Sequence, residues 1–303
     1  MAELSSGAAS VPSRTAALVG GVGGALMAMP AYVPGADALA AKLVCQFPQN
    51  PDRGLPSHVA IIAVFDPETG VPLAVMDGEA ITAERTAAGS ALSVRLLARA
   101  DAAVLAVLGT GVQARSHGRA VARVRALREL RVAGRDRPKA EALAAELGSE
   151  LGVPATVAAG YREAITGADI VCACTHSPEP VVHGAWLAPG THVTSVGVNG
   201  AGRELDAEAV ARSLVVVESR SAALSPFPTG SNDLAWAIRD GAITADHVHA
   251  ELGELVSGTR PGRTDAEQIT LYKSVGVAAQ DAAAAALVLS IARAAGLGTE
   301  VPI

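Results

Sequence analysis

One stretch of the sequence decides the fold, and it reads Ala103-Val-Leu-Ala-Val-Leu-Gly109-Thr-Gly111-Val-Gln-Ala114. An apolar run of strand length leads directly into the pattern Gly-x-Gly-x-x-Ala, and a helix-compatible stretch follows from Arg115 to Arg125. In a dinucleotide-binding turn the first glycine permits the tight turn, the second lets the backbone approach a pyrophosphate, and the small third residue lets the helix pack on the strand. The helix N-terminus then offers unpaired N–H groups to the phosphates. A second apolar run, Leu130–Gly134, completes a βαβ unit, so we predict a dinucleotide site at Gly109 and Gly111; the alternative is an ordinary strand-to-helix turn.

The residues after that second run indicate which dinucleotide binds. An NAD site usually carries Asp or Glu at the end of the second strand, where it accepts a hydrogen bond from the ribose 2′-hydroxyl. Here the strand ends in Gly134-Arg135-Asp136-Arg137, so a glycine replaces the acid and two arginines flank the turn. A guanidinium fork suits a 2′-phosphate, which favours NADP(H), with NAD(H) as the alternative. Two other interpretations stay open: Asp136 could reach the ribose, and the arginines could be only solvated surface.

Composition excludes several classes of protein. Half of the 303 residues are hydrophobic and 18% are charged, which is typical of a compact chain with one large or two modest domains. A formal charge of −6 and an aromatic content of 3% argue against a nucleic-acid partner. Neither the three cysteines nor His176, His183 and His192 have metal-ligand spacing, so we expect loop histidines and no metal site.

A segment without charge, from Thr15 to Ala36, is long enough to suggest a membrane span or a cleaved targeting peptide. It contains four glycines within the five positions 20–24, and Pro30 follows them. A pair of strands, Ala16–Val19 and Ala25–Met29, joined by a glycine turn explains the segment better. We therefore expect a cytoplasmic protein that has no membrane partner.

Strands and helices are predicted to alternate along the chain. Strand-like runs cover Ala40–Phe47, His58–Phe65 and Val71–Met76, and the pattern becomes helical from Thr82 to Ala100. Beyond residue 100, alanine-rich helical stretches separate several further strand-like runs, and the last helical run covers residues 275–295. Those further runs begin near Leu105, Leu130, Ile170, His192 and Leu214. The alternation predicts an α/β fold with a mostly parallel, doubly wound sheet of the Rossmann type.

Seven short segments, each modest alone, point to one family by their order and spacing. They are Lys42-Leu-Val-Cys-Gln-Phe-Pro48-Gln-Asn50, Thr82-Ala-Glu-Arg85-Thr86-Ala-Ala, Gly109-Thr-Gly111-Val-Gln113-Ala, Gly190-Thr-His-Val-Thr-Ser-Val-Gly197, Glu204-Leu-Asp206, Glu251-Leu-Gly253-Glu254 and Thr270-Leu-Tyr-Lys273-Ser274-Val-Gly276. With them the sequence resembles the ornithine cyclodeaminase/mu-crystallin family over residues 14–281.

The resemblance implies two domains. A Rossmann-like NAD(P)-binding domain, residues 101–274, would be inserted in an α+β substrate-binding and dimerisation domain made of residues 1–100 and 275–303. Members of the family use a bound nicotinamide on amino acids or their imines. They include cyclodeaminases of ornithine or lysine, alanine dehydrogenases and ketimine reductases.

The resemblance also implies a site for the substrate carboxylate. Arg85 matches a family arginine that clamps this group, and a bidentate guanidinium suits a planar anion. Lys42 lies in an apolar run with no other charge between Asp37 and Asp52, and it would bind the carboxylate or relay a proton. Arg14 matches a further carboxylate-binding arginine. The alternatives are a locally paired surface arginine at position 85 and a lysine that snorkels at a strand edge.

The resemblance implies further contacts along the cofactor. Beside the motif residues Gly109, Gly111, Arg135 and Arg137, the positions at which the family contacts the dinucleotide are Ser57, Val112, Gln113, Thr175, Val196, Gly197, Arg203 and Ser274. For Thr175 the alternative is a simple hydroxyl at the end of a strand.

One departure from the family bears on the reaction. Cyclodeaminases carry an aspartate in the turn Val-Gly-x-Asp, whereas this chain has Asn199 there. An amide can hydrogen-bond an amine but cannot act as a general base near neutral pH. A second family acid, expected just before the step Met29-Pro30, is here Met27 or Ala28. The loss of both acids favours a reductase over a cyclodeaminase.

We therefore expect an NAD(P)H-dependent reductase that converts a small α-imino acid, such as Δ1-pyrroline-2-carboxylate or Δ1-piperideine-2-carboxylate, to the L-amino acid. Lys42, Arg85 and Asn199 are its predicted catalytic residues, and a homodimer is the predicted assembly. One alternative is an ornithine or lysine cyclodeaminase, or an amino-acid dehydrogenase like alanine dehydrogenase. Another is a non-catalytic protein that binds a small ligand, as mu-crystallin shows is possible.

Overall fold

The structure is a computed structural model that describes residues 1–301, except for the side chain of Pro51. Its strands are β1 Thr15–Val19, β2 Gly24–Val33, β3 Ala38–Gln46, β4 His58–Phe65, β5 Pro72–Asp77, β6 Val104–Leu108, β7 Glu129–Ala133, β8 Ala155–Val157, β9 Ile170–Ala173, β10 His192–Ser195, β11 Ser213–Val217, β12 Val248–Glu251 and β13 Ile269–Lys273. Its α-helices are α1 Ala2–Ser6, α2 Gly78–Leu97, α3 Val112–Ala122, α4 Arg137–Leu151, α5 Tyr161–Ile165, α6 Ala207–Ala211, α7 Arg220–Ala223, α8 Asn232–Arg239, α9 Leu252–Ser257 and α10 Ala278–Ala294.

The chain divides into two compact units. The first combines Glu3–Arg85 with the chain from Val277 onward, and the second is the continuous stretch Thr86–Gly276. The division at residues 85–86 falls inside α2, because Ile81 belongs to the apolar core of the first unit and Val94 to a core of the second. The predicted boundaries lie elsewhere, after residues 100 and 274, because the sequence indicates where a helix ends and not which core each of its turns joins.

The first unit is built on an antiparallel sheet with strands in the order β1-β2-β3-β4-β5. The pairing of β1 with β2 confirms the predicted strand pair in the uncharged segment, with the glycine turn between Val19 and Gly24. Strand β2 extends beyond its predicted end at Met29 and pairs with β3 as far as Val33. Helix α2 begins at Gly78, earlier than the predicted Thr82.

Helix α10 covers one face of this sheet. Residues Ala38, Ala40, Lys42 and Val44 alternate along β3 with more exposed neighbours and form part of the buried face. The helix packs on it through small side chains, namely Ala278, Ala279, Ala282 and Ala285. Small residues let a helix approach a sheet closely, so the single lysine on this face is buried.

The opposite face of the same sheet carries exposed apolar side chains. Because strand residues alternate between faces, these residues share one surface. They are Leu26, Leu43, Val59, Ile61 and Val75. In the single chain this surface, here called the outer face, is exposed to solvent.

The second unit contains the predicted Rossmann-type sheet. Eight parallel strands follow the order β12-β11-β13-β10-β9-β6-β7-β8, with helices between them. The sequence does not predict β8, β12 or β13 as strands. Strand β13 nevertheless lies inside the sheet, between β11 and β10.

Within residues 1–301, no helix combines the length and the apolar character that crossing a bilayer requires.

Candidate active site

The glycine turn after β6 has the geometry that a dinucleotide requires. Gly109 has a φ of +112°, and a Cβ atom there would lie 2.5 Å from the carbonyl oxygen of Cys174. Gly111 precedes the first residue of α3, where no side chain caps the helix, and a Cβ atom there would meet no atom within 4 Å. Ala114 is fully buried where the motif needs a small residue. The open space before an uncapped helix start therefore fits a phosphate.

The two residues that follow the turn add to this fit. The side chain of Val112 is 61% exposed at the helix start, although it is large and apolar. The Oε1 atom of Gln113 is buried and has no hydrogen-bond partner among the described residues. Buried polar atoms are usually paired, so the unpaired Oε1 atom of Gln113 fits contact with a further group. The exposed apolar side chain of Val112 also fits such a contact.

A cavity of about 320 Å³ lies at the end of β7, lined in part by Gly134, Arg135, Arg137 and Tyr161. Asp136 caps α4 by accepting a hydrogen bond from the N–H of Lys139 at 3.1 Å. The capping bond lowers the pKa of the Asp136 carboxyl and keeps it charged. Arg137 pairs with Glu141 at 2.8 Å, whereas the guanidinium of Arg135 has no hydrogen bond or ion pair to any of residues 1–301.

A buried carboxylate joins the ends of β9 and β10. Glu204 Oε1 accepts hydrogen bonds from the N–H and the hydroxyl of Thr175, both at 2.6 Å. Its Oε2 atom accepts from Ser195 Oγ and from the N–H of Gly197, both at 2.8 Å. Glu204 is only 2% exposed, so the hydroxyl proton of Thr175 and the amide of Gly197 are used inside the protein.

A buried lysine supports the same turn from β13. Lys273 Nζ donates to Ser195 Oγ at 2.9 Å and to the carbonyl oxygen of Gly197 at 2.7 Å. It also forms an ion pair with Asp233 at 2.9 Å, and the two side chains are 0% and 3% exposed. Neither Glu204 nor Lys273 was given a role from the sequence. The available signal was a charge inside an apolar stretch, as with Lys273 in β13.

The other predicted cofactor residues lie in varied surroundings. Ser274 Oγ donates to Glu218 at 2.5 Å, and Arg203 pairs with Asp240 at 3.3 Å and lies over the Trp236 ring. The N–H of Val196 donates to Ala173, and the carbonyl of Ser57, in the first unit, accepts from Phe47. Their contact with a cofactor stays a prediction.

Asn199 lies in the loop that follows β10. Its amide nitrogen donates to the carbonyl of His176 at 3.0 Å, and its Oδ1 atom accepts from the N–H of Ala201 at 2.9 Å. Both ends of the amide therefore hold this loop together. A catalytic role for Asn199 stays a prediction.

His192 is a structural residue of the second unit. The prediction of a loop position is wrong for His192, which begins β10 and is fully buried. Its ring is hydrogen-bonded to Ser93 and Thr270, and burial lowers its pKa to about 3, so the ring is neutral. No group of three or more potential metal ligands occurs within residues 1–301.

The first unit brings together two of the predicted substrate residues. Lys42 lies on the buried face of β3 and Arg85 on α2, and their side chains are 3% and 8% exposed. Both contact Asp281 in the first turn of α10, Lys42 Nζ at 2.7 Å and Arg85 Nε at 2.8 Å. Arg85 Nη1 donates to Gln280 at 3.2 Å, while Nη2 makes no hydrogen bond to any described residue.

Positive charge is in excess around Asp281. Burial and the neighbouring Arg85 lower the pKa of Lys42 to about 8, against the opposing effect of Asp281, and Arg14 lowers it further. The pKa of His58 is also lowered, by burial and then by Lys42 and Arg85. Lys42 and Arg85 thus share the single carboxylate of Asp281, which leaves positive charge for a further anion. The predicted residues Arg14, Lys42 and Arg85 therefore belong to one electrostatic neighbourhood.

Asp281 was not predicted from the sequence as a site residue. The available signal was its isolation, because it is the only acid between Glu267 and Glu300. An acid in a run of alanines is rarely buried unless it has a partner.

An uncapped helix start beside a glycine turn, and a buried group of cations suited to a carboxylate, are features of a dinucleotide-binding α/β oxidoreductase. The model of the ornithine cyclodeaminase/mu-crystallin family matches residues 1–295, and the chain belongs to that family.

Relatives within the family carry related names. Ketimine reductase mu-crystallin of Mus musculus is 39% identical over 278 residues, which cover 91% of this chain and 83% of the relative. The structure of Thermococcus litoralis Δ1-pyrroline-2-carboxylate reductase in complex with NADH and L-proline is 40% identical and has a TM-score of 0.94; the match covers 99% of this chain and 92% of that one. An archaeal alanine dehydrogenase dimer with bound NAD is 31% identical, has a TM-score of 0.92 and is matched over 99% of this chain and 91% of its own.

Proposed function

We propose that the protein reduces a small α-imino acid to the L-amino acid with a reduced nicotinamide dinucleotide. The observation that carries the proposal is the excess of buried positive charge around Lys42 and Arg85, because an imino acid offers a carboxylate to it. Relatives named as ketimine reductase and as Δ1-pyrroline-2-carboxylate reductase support the same reaction class. Δ1-Pyrroline-2-carboxylate and Δ1-piperideine-2-carboxylate are the substrates to test first.

The residues of this chain contribute mainly by binding and orienting. Gly111 and the start of α3 would hold the pyrophosphate, and Glu204 and Lys273 would hold the turn beside the nicotinamide. When bound, the reduced nicotinamide supplies a hydride. The open Nη2 group of Arg85 and the ammonium of Lys42 would fix the substrate carboxylate, which makes this catalysis by positioning.

Lys42 is also the proposed source of the proton that the imine nitrogen gains. With a pKa of about 8, its ammonium is protonated near neutral pH yet loses the proton far more easily than an ordinary lysine. Asn199 would hydrogen-bond a polar group of the substrate without moving a proton. Met27 or Ala28, which stands in place of the second cyclodeaminase carboxylate, supplies no acid.

NADPH is the proposed cofactor. Arg135 lines the cavity at the end of β7 and makes no hydrogen bond or ion pair with the described residues, while the carboxylate of Asp136 is committed to the first turn of α4. A free guanidinium there favours a 2′-phosphate, and an engaged carboxylate is poorly placed to accept from a 2′-hydroxyl.

A homodimer through the outer face of the first sheet is the proposed assembly. A contiguous apolar surface on a globular protein usually marks a contact site. The archaeal alanine dehydrogenase of similar structure is a dimer, which supports the proposal.

The decisive experiment is an assay of the purified protein with NADPH and each of the two cyclic imines. We expect NADPH oxidation together with the formation of L-proline or L-pipecolate in equal amount. If the protein oxidises neither NADPH nor NADH with these or with linear imino acids, the reductase is excluded. Release of ammonia from ornithine or lysine without net cofactor turnover would instead identify a cyclodeaminase.

A further inference from the structure

One carboxylate in the first unit contacts both cations assigned to the substrate. Asp281 Oδ2 lies 2.7 Å from Lys42 Nζ, and Asp281 Oδ1 accepts from Arg85 Nε at 2.8 Å. Asp281 is 2% exposed and belongs to α10, whereas its partners belong to β3 and α2. Three separate elements therefore meet at this one acid.

We propose that Asp281 is a positioning residue: it orients Lys42 and Arg85 so that one ammonium and the free edge of one guanidinium face the substrate carboxylate. This inference rests on the proposed function and adds a residue that neither the motifs nor the family resemblance assigned. Because Asp281 engages the Nε side of Arg85 and Gln280 engages Nη1, the guanidinium plane is fixed and Nη2 is left for the ligand.

The alternative role for a buried acid is simple charge compensation. Two buried cations cost free energy, and one carboxylate nearby lowers that cost whatever its direction. The two roles predict opposite effects of neutralising Asp281 on ligand affinity. If Asp281 only compensates charge, its neutralisation leaves the site more positive and strengthens carboxylate binding. If it positions the cations, its neutralisation weakens binding in spite of the added positive charge.

Three charged side chains shift the pKa of Lys42. Arg14, before β1, and Arg85 on α2 lower the pKa of Lys42, whereas Asp281 raises it. His58 at the start of β4 faces the same cations, and its own lowered pKa keeps it neutral near pH 7. Asp281 is thus the only one of these groups that holds the Lys42 proton in place.

Lysine NMR offers a direct test, because the chain contains only three lysines: Lys42, Lys139 and Lys273. In protein labelled with ¹³C at lysine Cε, conservative Lys-to-Arg variants assign the three signals. We expect Lys42 to titrate near pH 8 in the wild type. In Asp281→Asn it should titrate about one pH unit lower or more, the effect of removing an opposite charge at this distance. An unchanged Lys42 titration would overturn the proposal.

Glu79→Gln is the matched control. It removes one negative charge from the first turn of α2 in the same unit. The Glu79 side chain makes no bond to the described residues and does not shift the pKa of Lys42. In Glu79→Gln the Lys42 signal should titrate as in the wild type.

Ligand binding decides between positioning and charge compensation. Calorimetry at pH 5.5, where Lys42 is protonated in both proteins, with L-proline and oxidised cofactor should show affinity lower by about tenfold in Asp281→Asn, the effect of one charge-assisted hydrogen bond. Equal or tighter binding would overturn the proposal. If wild type binds no L-proline while the Lys42 titration still moves in the variant, the proposed function has failed and the contact of Asp281 with Lys42 stands.

Asp281→Glu is a second variant that tests the same proposal if Asp281→Asn does not fold. It retains the charge but adds a methylene, which displaces the two cations. The Lys42 titration should stay near pH 8 while L-proline affinity falls; unchanged affinity would count against positioning.

Discussion

At the scale of single residues, the chain uses lysine very selectively. It has 24 basic residues of the Lys and Arg types but only three lysines, and two of these, Lys42 and Lys273, are buried in ion pairs. Lys139, the third, is 71% exposed. A lysine loses its proton readily when buried, whereas an arginine does not. Lysine at position 42 would therefore make the proposed carboxylate site sensitive to pH.

The first prediction concerns this pH sensitivity. We expect kcat/KM for the imino acid to be high below pH 8 and to fall above it with an apparent pKa near 8, because Lys42 must be protonated to bind or to give its proton. A pH–rate profile from pH 6 to 10 measures this.

Lys42→Arg is the control for that profile. Its guanidinium stays protonated throughout this range, so the alkaline fall should disappear even if the overall rate is lower. An unchanged alkaline fall in this variant would assign the titration to another group.

The second prediction concerns the cofactor. Arg135→Ala should raise KM for NADPH about tenfold or more and leave KM for NADH nearly unchanged, because one charge-assisted contact with the 2′-phosphate is lost. Arg137→Ala is the matched control, with a smaller effect expected because Arg137 already pairs with Glu141. Equal losses for both cofactors in Arg135→Ala would contradict NADPH preference.

At the scale of elements, one carboxylate connects the strand ends that would face the nicotinamide. Glu204 accepts four hydrogen bonds from the ends of β9 and β10, and Lys273 at the end of β13 supports the same turn. Because the three strands are neighbours and parallel, their carboxyl ends lie at one edge of the sheet. The loops there are thus held by buried charge and not only by backbone pairing.

The third prediction tests that support. Glu204→Gln keeps the size of the side chain but replaces one accepting oxygen with an NH2 group, so some buried donors lose their partner. We expect a loss of about 1–3 kcal/mol in the free energy of unfolding and a lower kcat. Urea denaturation and steady-state kinetics measure the two effects.

A surface acid provides the comparison. Glu146→Gln weakens partly exposed pairings with Arg115 and Arg119 and should cost at most about 1 kcal/mol. Equal stability losses in the two variants would argue against a buried network around Glu204.

The difference between local and distant information explains what the sequence could predict. Gly109, Gly111 and the strand before them were predictable, because a glycine turn is encoded within a dozen neighbouring residues. Strand β13 was not, since a short strand inside a sheet is defined by β10 and β11, its partners in space. Asp281 was missed for the same reason: its partner Arg85 lies 196 positions away.

At the scale of the whole molecule, the first sheet has one buried face and one apolar face open to water. The buried face holds Lys42 under α10, and the outer face carries Leu43, the next residue in β3. Strand alternation therefore places the proposed substrate lysine and a proposed subunit contact on adjacent residues.

The fourth prediction concerns assembly. Leu43→Asp should convert the proposed dimer to a monomer, because it buries a charge in an apolar contact. Light scattering after size-exclusion chromatography measures the mass. Val256→Asp, which alters an exposed apolar residue on α9, should leave the mass unchanged. A wild-type monomer, or a Leu43→Asp dimer, would exclude this interface.

The long separation between Arg85 and Asp281 also has a consequence for how the chain is made. At about 5–20 residues per second, a ribosome needs roughly 10–40 seconds to add the 196 positions between them. In that interval the whole continuous stretch Thr86–Gly276 is synthesised, while Lys42 and Arg85 still lack their acid. The sheet that is translated first therefore reaches its final charge balance only when the last helix emerges.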